Sequence, residues 1–138
     1  MRILALDLGE RHIGAAISDE SGRIAFPCTV LEKGEKFFQE LKKIVEDYHV
    51  EKIVIGHPLD IRGEEGKEGR KSRKEAEGLK DILKIDCVLW DERYTSRQAS
   101  DILRGKGKKK KESEHMIAAT ILLQSYLDCL RTEGRSED

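Results

Sequence analysis

Four apolar residues in a row, Ile3, Leu4, Ala5 and Leu6, run straight into an acid, Asp7. An unbroken run of this kind predicts a strand buried on both faces, spanning Arg2 to Leu8. A second strand is predicted from Arg11 to Ser18. Asp19-Glu20-Ser21-Gly22 then signals a turn. A third strand follows from Arg23 to Leu31, where Pro27 implies an edge position or a bulge. Phe37, Leu41, Ile44, Val45 and Tyr48 fall on one face of a helix from Glu35 to Tyr48. Ile53-Val54-Ile55 forms a strand closed by Gly56-His57-Pro58. Asp60 to Lys74 is glycine-rich and densely charged, which predicts a mobile loop. It leads into a helix over Ser72 to Leu83 with Ala76, Leu79 and Leu83 as its apolar stripe. Cys87-Val88-Leu89-Trp90 is a further strand, and it too ends in acid, Asp91-Glu92. Thr95-Ser96-Arg97-Gln98 has capping-box form and opens a helix through Leu103. The last helix, Ser113 to Leu130, is apolar almost all round and therefore belongs to the core.

The order is three strands, then helix, strand, helix, strand and two closing helices. Hairpins followed by strand–helix units imply an α/β protein with a mixed sheet and helices against it. Right-handed crossovers set the later strands parallel to the first. Ligands collect at the C-terminal ends of parallel strands. Those ends carry Asp7, Gly56-His57-Pro58 and Asp91-Glu92. The whole reads as one domain, 1–131, with a polar tail over 132–138.

Composition changes this picture little. Of 138 residues, 38% are charged, yet the formal net charge is −1. Any nucleic-acid signal must therefore be local. The N-terminus reads as a strand and not as a secretory signal, and no apolar run reaches membrane-spanning length. Cys28, Cys87 and Cys129 form no CxxC pair and read as reduced core thiols of a cytoplasmic protein. Asparagine is absent and Lys, Arg and Glu are abundant, a balance typical of thermophiles.

The candidate chemistry is concentrated at the strand ends. A carboxylate such as Asp7 is costly to bury unless it meets something positive. Clustered acids are commonly relieved by a divalent metal, and hard oxygen ligands favour magnesium or manganese. Two such ions about 3.5–4 Å apart can clamp a phosphodiester. Plain ion pairs of Asp91 and Glu92 with Arg93 or Arg97 are the alternative. Gly56-His57-Pro58, with Gly63, Gly66 and Gly69 behind it, could cradle phosphate through backbone N–H groups, or could simply form a loop. His57 reads as structural or solvent-facing. Arg104 to Lys111 carries six basic residues and no acid. Such a run could neutralise phosphates without regard to sequence. Glu112, Glu114 or His115, in the first turn of the last helix, could complete the acidic cluster. The helix N-terminus would there favour neutral His115, the form that ligates metal.

Four stretches together resemble the YqgF family, also called RuvX-type proteins. They are Leu6-Asp7-Leu8-Gly9 through Ile13-Gly14; Gly56-His57-Pro58-Leu59 with Gly63; Asp91-Glu92-Arg93-Tyr94-Thr95-Ser96 with Ala99; and Ile117-Ala118-Ala119 through Leu123-Gln124-Ser125-Tyr126-Leu127. The resemblance spans nearly the whole chain. It implies an RNase H-like fold, a mixed five-stranded sheet in βββαβαβα order flanked by helices. It also implies metal-dependent phosphodiester cleavage and a cytoplasmic location. The family's catalytic acids map onto Asp7 and the Asp91-Glu92 pair. Many relatives carry an aspartate two residues before Ile-Ala-Ala, where this chain has His115.

The expectation is a nuclease using Mg2+ or Mn2+, with Asp7, Asp91, Glu92 and His115 catalytic. Asp7, Asp91, Glu92 and Glu114 are the candidate metal ligands. Arg11, Arg93, Lys108, Lys109, Lys110 and Lys111 are candidates for nucleic-acid contact, and Gly9, Gly56 and Gly63 for phosphate. The expected substrate is structured RNA, namely the 5′ end of pre-16S rRNA. One rival is a DNA junction resolvase, which would need a dimer to cut two symmetric strands. Another is a nucleic-acid-binding assembly factor with little catalysis. Monomer and homodimer both remain open.

Overall fold

The computed structural model describes residues 1–92 and 111–137, with side chains described for 1–92 and 114–132. The strands are β1 (Arg2–Leu8), β2 (His12–Ser18), β3 (Ala25–Glu32), β4 (Val50–His57) and β5 (Asp86–Asp91). The helices among the described residues are α1 (Phe37–Asp47), α2 (Lys67–Leu83) and α3 (Lys111–Glu137). The sheet runs β3-β2-β1-β4-β5. Its first three strands form an antiparallel meander, while β4 lies parallel to β1 and β5 parallel to β4. This is the mixed five-stranded sheet that the sequence order implies. The helix expected from Thr95 and most of the basic run, Arg104 to Lys110, lie outside the described residues.

Strand alternation sorts the core into two layers. On one face Leu4, Leu6, Ile13, Ile53 and Ile55 pack with Phe37 and Leu41 of α1 and Ala76 and Leu79 of α2. On the other, Ile3, Ala5, Ala16 and Val54 pack with Ala119, Leu122, Leu123, Tyr126 and Leu127 of α3. Leu6, Ile55 and Leu123 are all fully buried. The two-sided burial of β1 explains its unbroken apolar run. No helix among the described residues is long and apolar enough to cross a membrane.

Several boundaries depart from the sequence expectation. The predicted loop over Asp60 to Lys74 contains the first turns of α2, which starts at Lys67. Lys, Arg and Glu are good helix formers, and their density misled more than it informed. Gly69 sits inside this helix because its bare Cα lets the helix approach the Pro58 carbonyl; an added Cβ would lie 2.9 Å from that oxygen. Strand β4 is longer than Ile53 to Ile55 at both ends. Its polar start is held where Lys52 Nζ donates to the Tyr126 hydroxyl at 2.6 Å. Helix α3 continues past Leu130 to Glu137. An Arg131–Asp128 pair at 2.7 Å and a Thr132 hydroxyl donating to the Asp128 carbonyl at 3.0 Å line that extension. Pro27 lies on an edge strand and also beside a bulge, where the β2 partner shifts from Thr29 to Pro27 and skips Cys28.

Candidate active site

The site follows from strand parity. Ile3 and Ala5 face α3, so the next odd position, Asp7, falls on the same face at the C-terminal end of β1. On β5, Val88 and Trp90 face α3 while Cys87 and Leu89 face α2. Alternation therefore sends Glu92 toward Asp7 and assigns Asp91 to the opposite face. The two acids are separated by strand β4, two inter-strand spacings of about 4.8 Å. Gly56 of β4 lies between them, and a Cβ there would collide with Glu92 Oε1. The missing side chain lets the Glu92 carboxyl pass over β4 and hydrogen bond with Asp7. Gly56 thus makes room for a carboxyl group, a role that the phosphate-loop reading did not contain.

The third member comes from α3. A Cβ on Gly14 would collide with the His115 backbone carbonyl, so this glycine lets the start of α3 settle directly on β2. His115 Nδ1 then lies 2.7 Å from Asp7 Oδ2. Its Nε2 covers Gly9, where an added Cβ would come within 2.5 Å. The His115 side chain does face Asp7, as its place in the last helix suggested. Asp7 is the better buried, with its side chain 16% exposed against 31% for His115.

Electrostatics at the cluster are those of crowded acids. Burial pushes the Glu92 carboxyl up to about 8, helped by the charge of Asp7, the hydrogen bond to it and the charge of Asp91; His115 opposes the shift. These effects favour the protonated Glu92 carboxyl, which is the donor in its hydrogen bond to Asp7. The hydrogen bond to Asp7 also raises the pKa of His115 against the effect of burial, with Asp7, Glu114 and Glu92 adding through their charges. This corrects the expectation of a ring kept neutral by the helix dipole. His115 is the fifth residue of α3, beyond the first turn where the dipole acts, and a hydrogen-bonded carboxylate outweighs it.

Two carboxyls held this close form a donor set that a hard divalent cation also fits, because the cation offsets their like charge. Asp7 and Glu92 are the oxygen donors so placed, with the His115 ring beside them. Among the described residues, no three His, Cys, Asp or Glu side chains are arranged to hold a metal ion together. Glu114, half-buried in α3, acts on His115 through its charge.

The remaining candidates divide clearly. Gly9 N–H donates to the His12 carbonyl at 2.9 Å, and Gly63 N–H to the Asp60 carbonyl at 2.9 Å. Both amides are therefore engaged in turns and not turned outward to cradle phosphate. Gly63 takes φ +83°, which suits glycine alone in that tight turn. His57 belongs to a structural network: its Nε2 lies 2.8 Å from Glu65 Oε2, and Arg73 pairs with the other Glu65 oxygen at 2.9 Å. This network ties the end of β4 to α2. Arg11 is exposed in the turn after β1, where its carbonyl accepts the Lys33 N–H at 2.8 Å. Arg93, Lys108, Lys109 and Lys110 lie outside the described residues, as does the side chain of Lys111 at the start of α3. The sequence marks Gly14 as one of the glycines near Asp7, but not its role of seating α3 on β2. Its signal was a small residue in a buried strand opposite a predicted core helix. A cleft of about 560 Å3 also went unforeseen; it opens between the turn after β1, Lys33 and the first half of α2, with Glu92 at its border.

Comparison with known proteins places this geometry. Residues 1–129 match the family model described as RuvX: Holliday junction resolvase. The chain belongs to the RuvX family. A relative from Caldanaerobacter subterraneus, named "Putative pre-16S rRNA nuclease", is 43% identical over 136 residues, covering 93% of this chain and 96% of its own. One of the same name from Sulfurihydrogenibium sp. is 40% identical over 132 residues, covering 94% and 91%. Among solved structures, RuvC of T. thermophilus with a Holliday junction substrate matches at TM-score 0.56 and 11% identity, over 96% of this chain and 97% of that one. The Fowlpox virus resolvase bound to Holliday junction DNA matches at TM-score 0.58 and 12% identity, over 94% and 99%. At such identities the likeness is one of fold, and the fold is RNase H-like.

Proposed function

We propose that this RuvX-family chain is a nuclease that hydrolyses phosphodiester bonds in structured RNA, with the 5′ end of the 16S rRNA precursor as its substrate. The observation that carries this reading is the hydrogen-bonded Asp7–Glu92 pair, brought together over Gly56 from two strand ends. The names of the relatives support the RNA substrate. Asp7 and Glu92 would hold magnesium or manganese, which when bound would supply Lewis-acid chemistry for phosphodiester hydrolysis. Asp7 is the central carboxylate, since it accepts from both Glu92 and His115. His115 orients Asp7 through the hydrogen bond at 2.7 Å. Asp91 adds negative charge to Glu92, and Glu114 does so to His115. Arg11, Arg93 and the run Lys108 to Lys111 neutralise flanking phosphates. Processing of an rRNA precursor sets the activity in the cytoplasm.

A second reading, cleavage of DNA four-way junctions, is favoured by the family description. It requires two copies of the site related by symmetry. Matched substrates separate the two: a pre-16S 5′-end RNA and a four-way DNA junction, each with magnesium, manganese or chelator, beside Asp7→Asn. Metal-dependent cut of the RNA that disappears in Asp7→Asn supports the proposal. Cleavage of the junction alone gives the second reading. No cleavage of either, with binding retained, leaves an assembly factor.

A further inference from the structure

The cleft beside Glu92 has an unusual lining for a nucleic-acid groove. Beyond Glu92, its charged lining residues are Lys33, Lys71 and Lys74 together with Glu10, Glu68 and Glu75. Five of the six are exposed and Glu75 is half-buried. Glu68 pairs with Lys71 at 3.4 Å, one turn apart on α2. A purely phosphate-tracking groove would exclude carboxylates, which repel the backbone. Carboxylates are useful where the ligand also presents hydroxyl or amino donors close to its phosphates. Single-stranded RNA does so at every nucleotide through the ribose 2′-hydroxyl, and DNA lacks that group. The volume, about 560 Å3, is within the range of pockets for small ligands. It suits one or two unpaired nucleotides and is far too small for a duplex.

We infer that this cleft receives unpaired RNA next to the scissile phosphate and selects it over DNA. Lys33, Lys71 and Lys74 take the phosphates, Glu10 and Glu75 accept from 2′-hydroxyls, and Glu68 steers Lys71. The inference rests on the nuclease reading only in placing the scissile phosphate at Asp7 and Glu92. The cleft and the cluster share Glu92 and Gly9, so a strand held in one passes the other.

The test is fluorescence anisotropy of the full chain with a labelled single-stranded oligoribonucleotide and its DNA counterpart, in chelator so that nothing is cut. The wild-type chain binds the RNA more tightly. Lys33→Ala/Lys71→Ala/Lys74→Ala weakens both ligands and lowers the slope of log affinity against log salt by about 2, near 0.7 per lysine. Glu10→Gln/Glu75→Gln removes most of the RNA preference, about tenfold. Simple relief of repulsion would tighten RNA and DNA equally and leave their ratio unchanged. An unchanged ratio, or an unchanged salt slope in the lysine variant, overturns the inference. The two proposals fail separately. Retained, cleft-dependent RNA preference in a chain that cuts nothing removes the nuclease and keeps the cleft. Cleavage by the triple lysine variant with an unaltered KM removes the cleft and keeps the nuclease.

Discussion

The two ends of the central strands handle charge in opposite ways. At the N-terminal end of β1, the Met1 amine donates to the Glu20 carbonyl at 2.6 Å. Arg2 donates to the Ser18 carbonyl at 3.2 Å, lies 3.6 Å from Glu20 and covers the Tyr48 ring at 5.7 Å. Positive groups there meet acceptors. At the C-terminal end, Asp7 and Glu92 are drawn together and Glu92 is pushed toward its protonated form. Like charges held close are a cost to folding, tolerated where they serve a site. The first end suits stability and the second the proposed chemistry, at opposite ends of the seven-residue strand β1.

The largest expected effect follows from breaking the second end. Asp7→Asn removes the carboxylate to which both Glu92 and His115 bond. Cleavage falls by about 10³-fold or more, equivalent to about 4 kcal/mol of transition-state stabilisation. The fold survives with a modest fall in melting temperature, because the amide keeps the shape of the carboxyl but weakens its bonds to Glu92 and His115. A variant retaining more than a tenth of wild-type turnover would show that the chemistry lies elsewhere.

Gly56→Ala should come next. The new methyl displaces the Glu92 carboxyl from Asp7, costing about 1–3 kcal/mol of stability by overpacking and much of the activity. Denaturant melts give the first quantity and single-turnover rates the second. Gly14→Ala lifts α3 and His115 instead, with a similar loss of stability. Wild-type rates in Gly56→Ala would mean that Glu92 need not lie over β4.

A pH series sharpens the comparison at smaller amplitude. Glu92 has its folded pKa raised from the ordinary 4.5 to about 8, so the folded state binds the extra proton between those values. Stability from this group is fully present below about 4.5 and is lost as pH rises to about 8. His115, also raised, has the same sign: its contribution is present below its ordinary 6.5 and disappears as pH climbs through its folded value. The melting temperature should therefore fall between pH 5 and pH 8. Glu92→Gln flattens that fall. An equal slope in both proteins would remove the Glu92 proton from the account.

Arg2→Ala, at the opposite end, should do least: about 1 kcal/mol or less of stability and no change in cleavage. Any large loss of activity there would dissolve the distinction between the two ends.

Much of the fold was legible because burial writes itself into period. The unbroken run Ile3 to Leu6 gave a central strand, and Pro27 gave an edge with a bulge. The acids at the ends of β1 and β5 stood out as polar residues with no packing reason. Which of Asp91 and Glu92 meets Asp7 was not legible, since both follow the strand and the answer depends on which sheet face α3 covers. Gly56 and Gly14 were equally hidden, because their function is to omit a side chain opposite atoms distant in sequence. The start of α2 was missed for a related reason: Gly66 and Gly69 read as loop residues until Gly69 is seen against Pro58. The proton balance of His115 was misjudged because a single hydrogen-bonded partner, 108 residues away, outweighs the local helix.

The bulge in β3 has a consequence for life in a crowded solution. An edge strand with free backbone groups is a template on which another chain can add, and Phe26, 48% exposed, would help it to stick. Pro27 offers no N–H to such an intruder, and the skipped residue at Cys28 breaks the spacing that a regular partner strand would need. The irregularity at the rim of the sheet thus acts as a guard against filament growth, placed at the far side of the sheet from β5 and the strand end that carries Glu92.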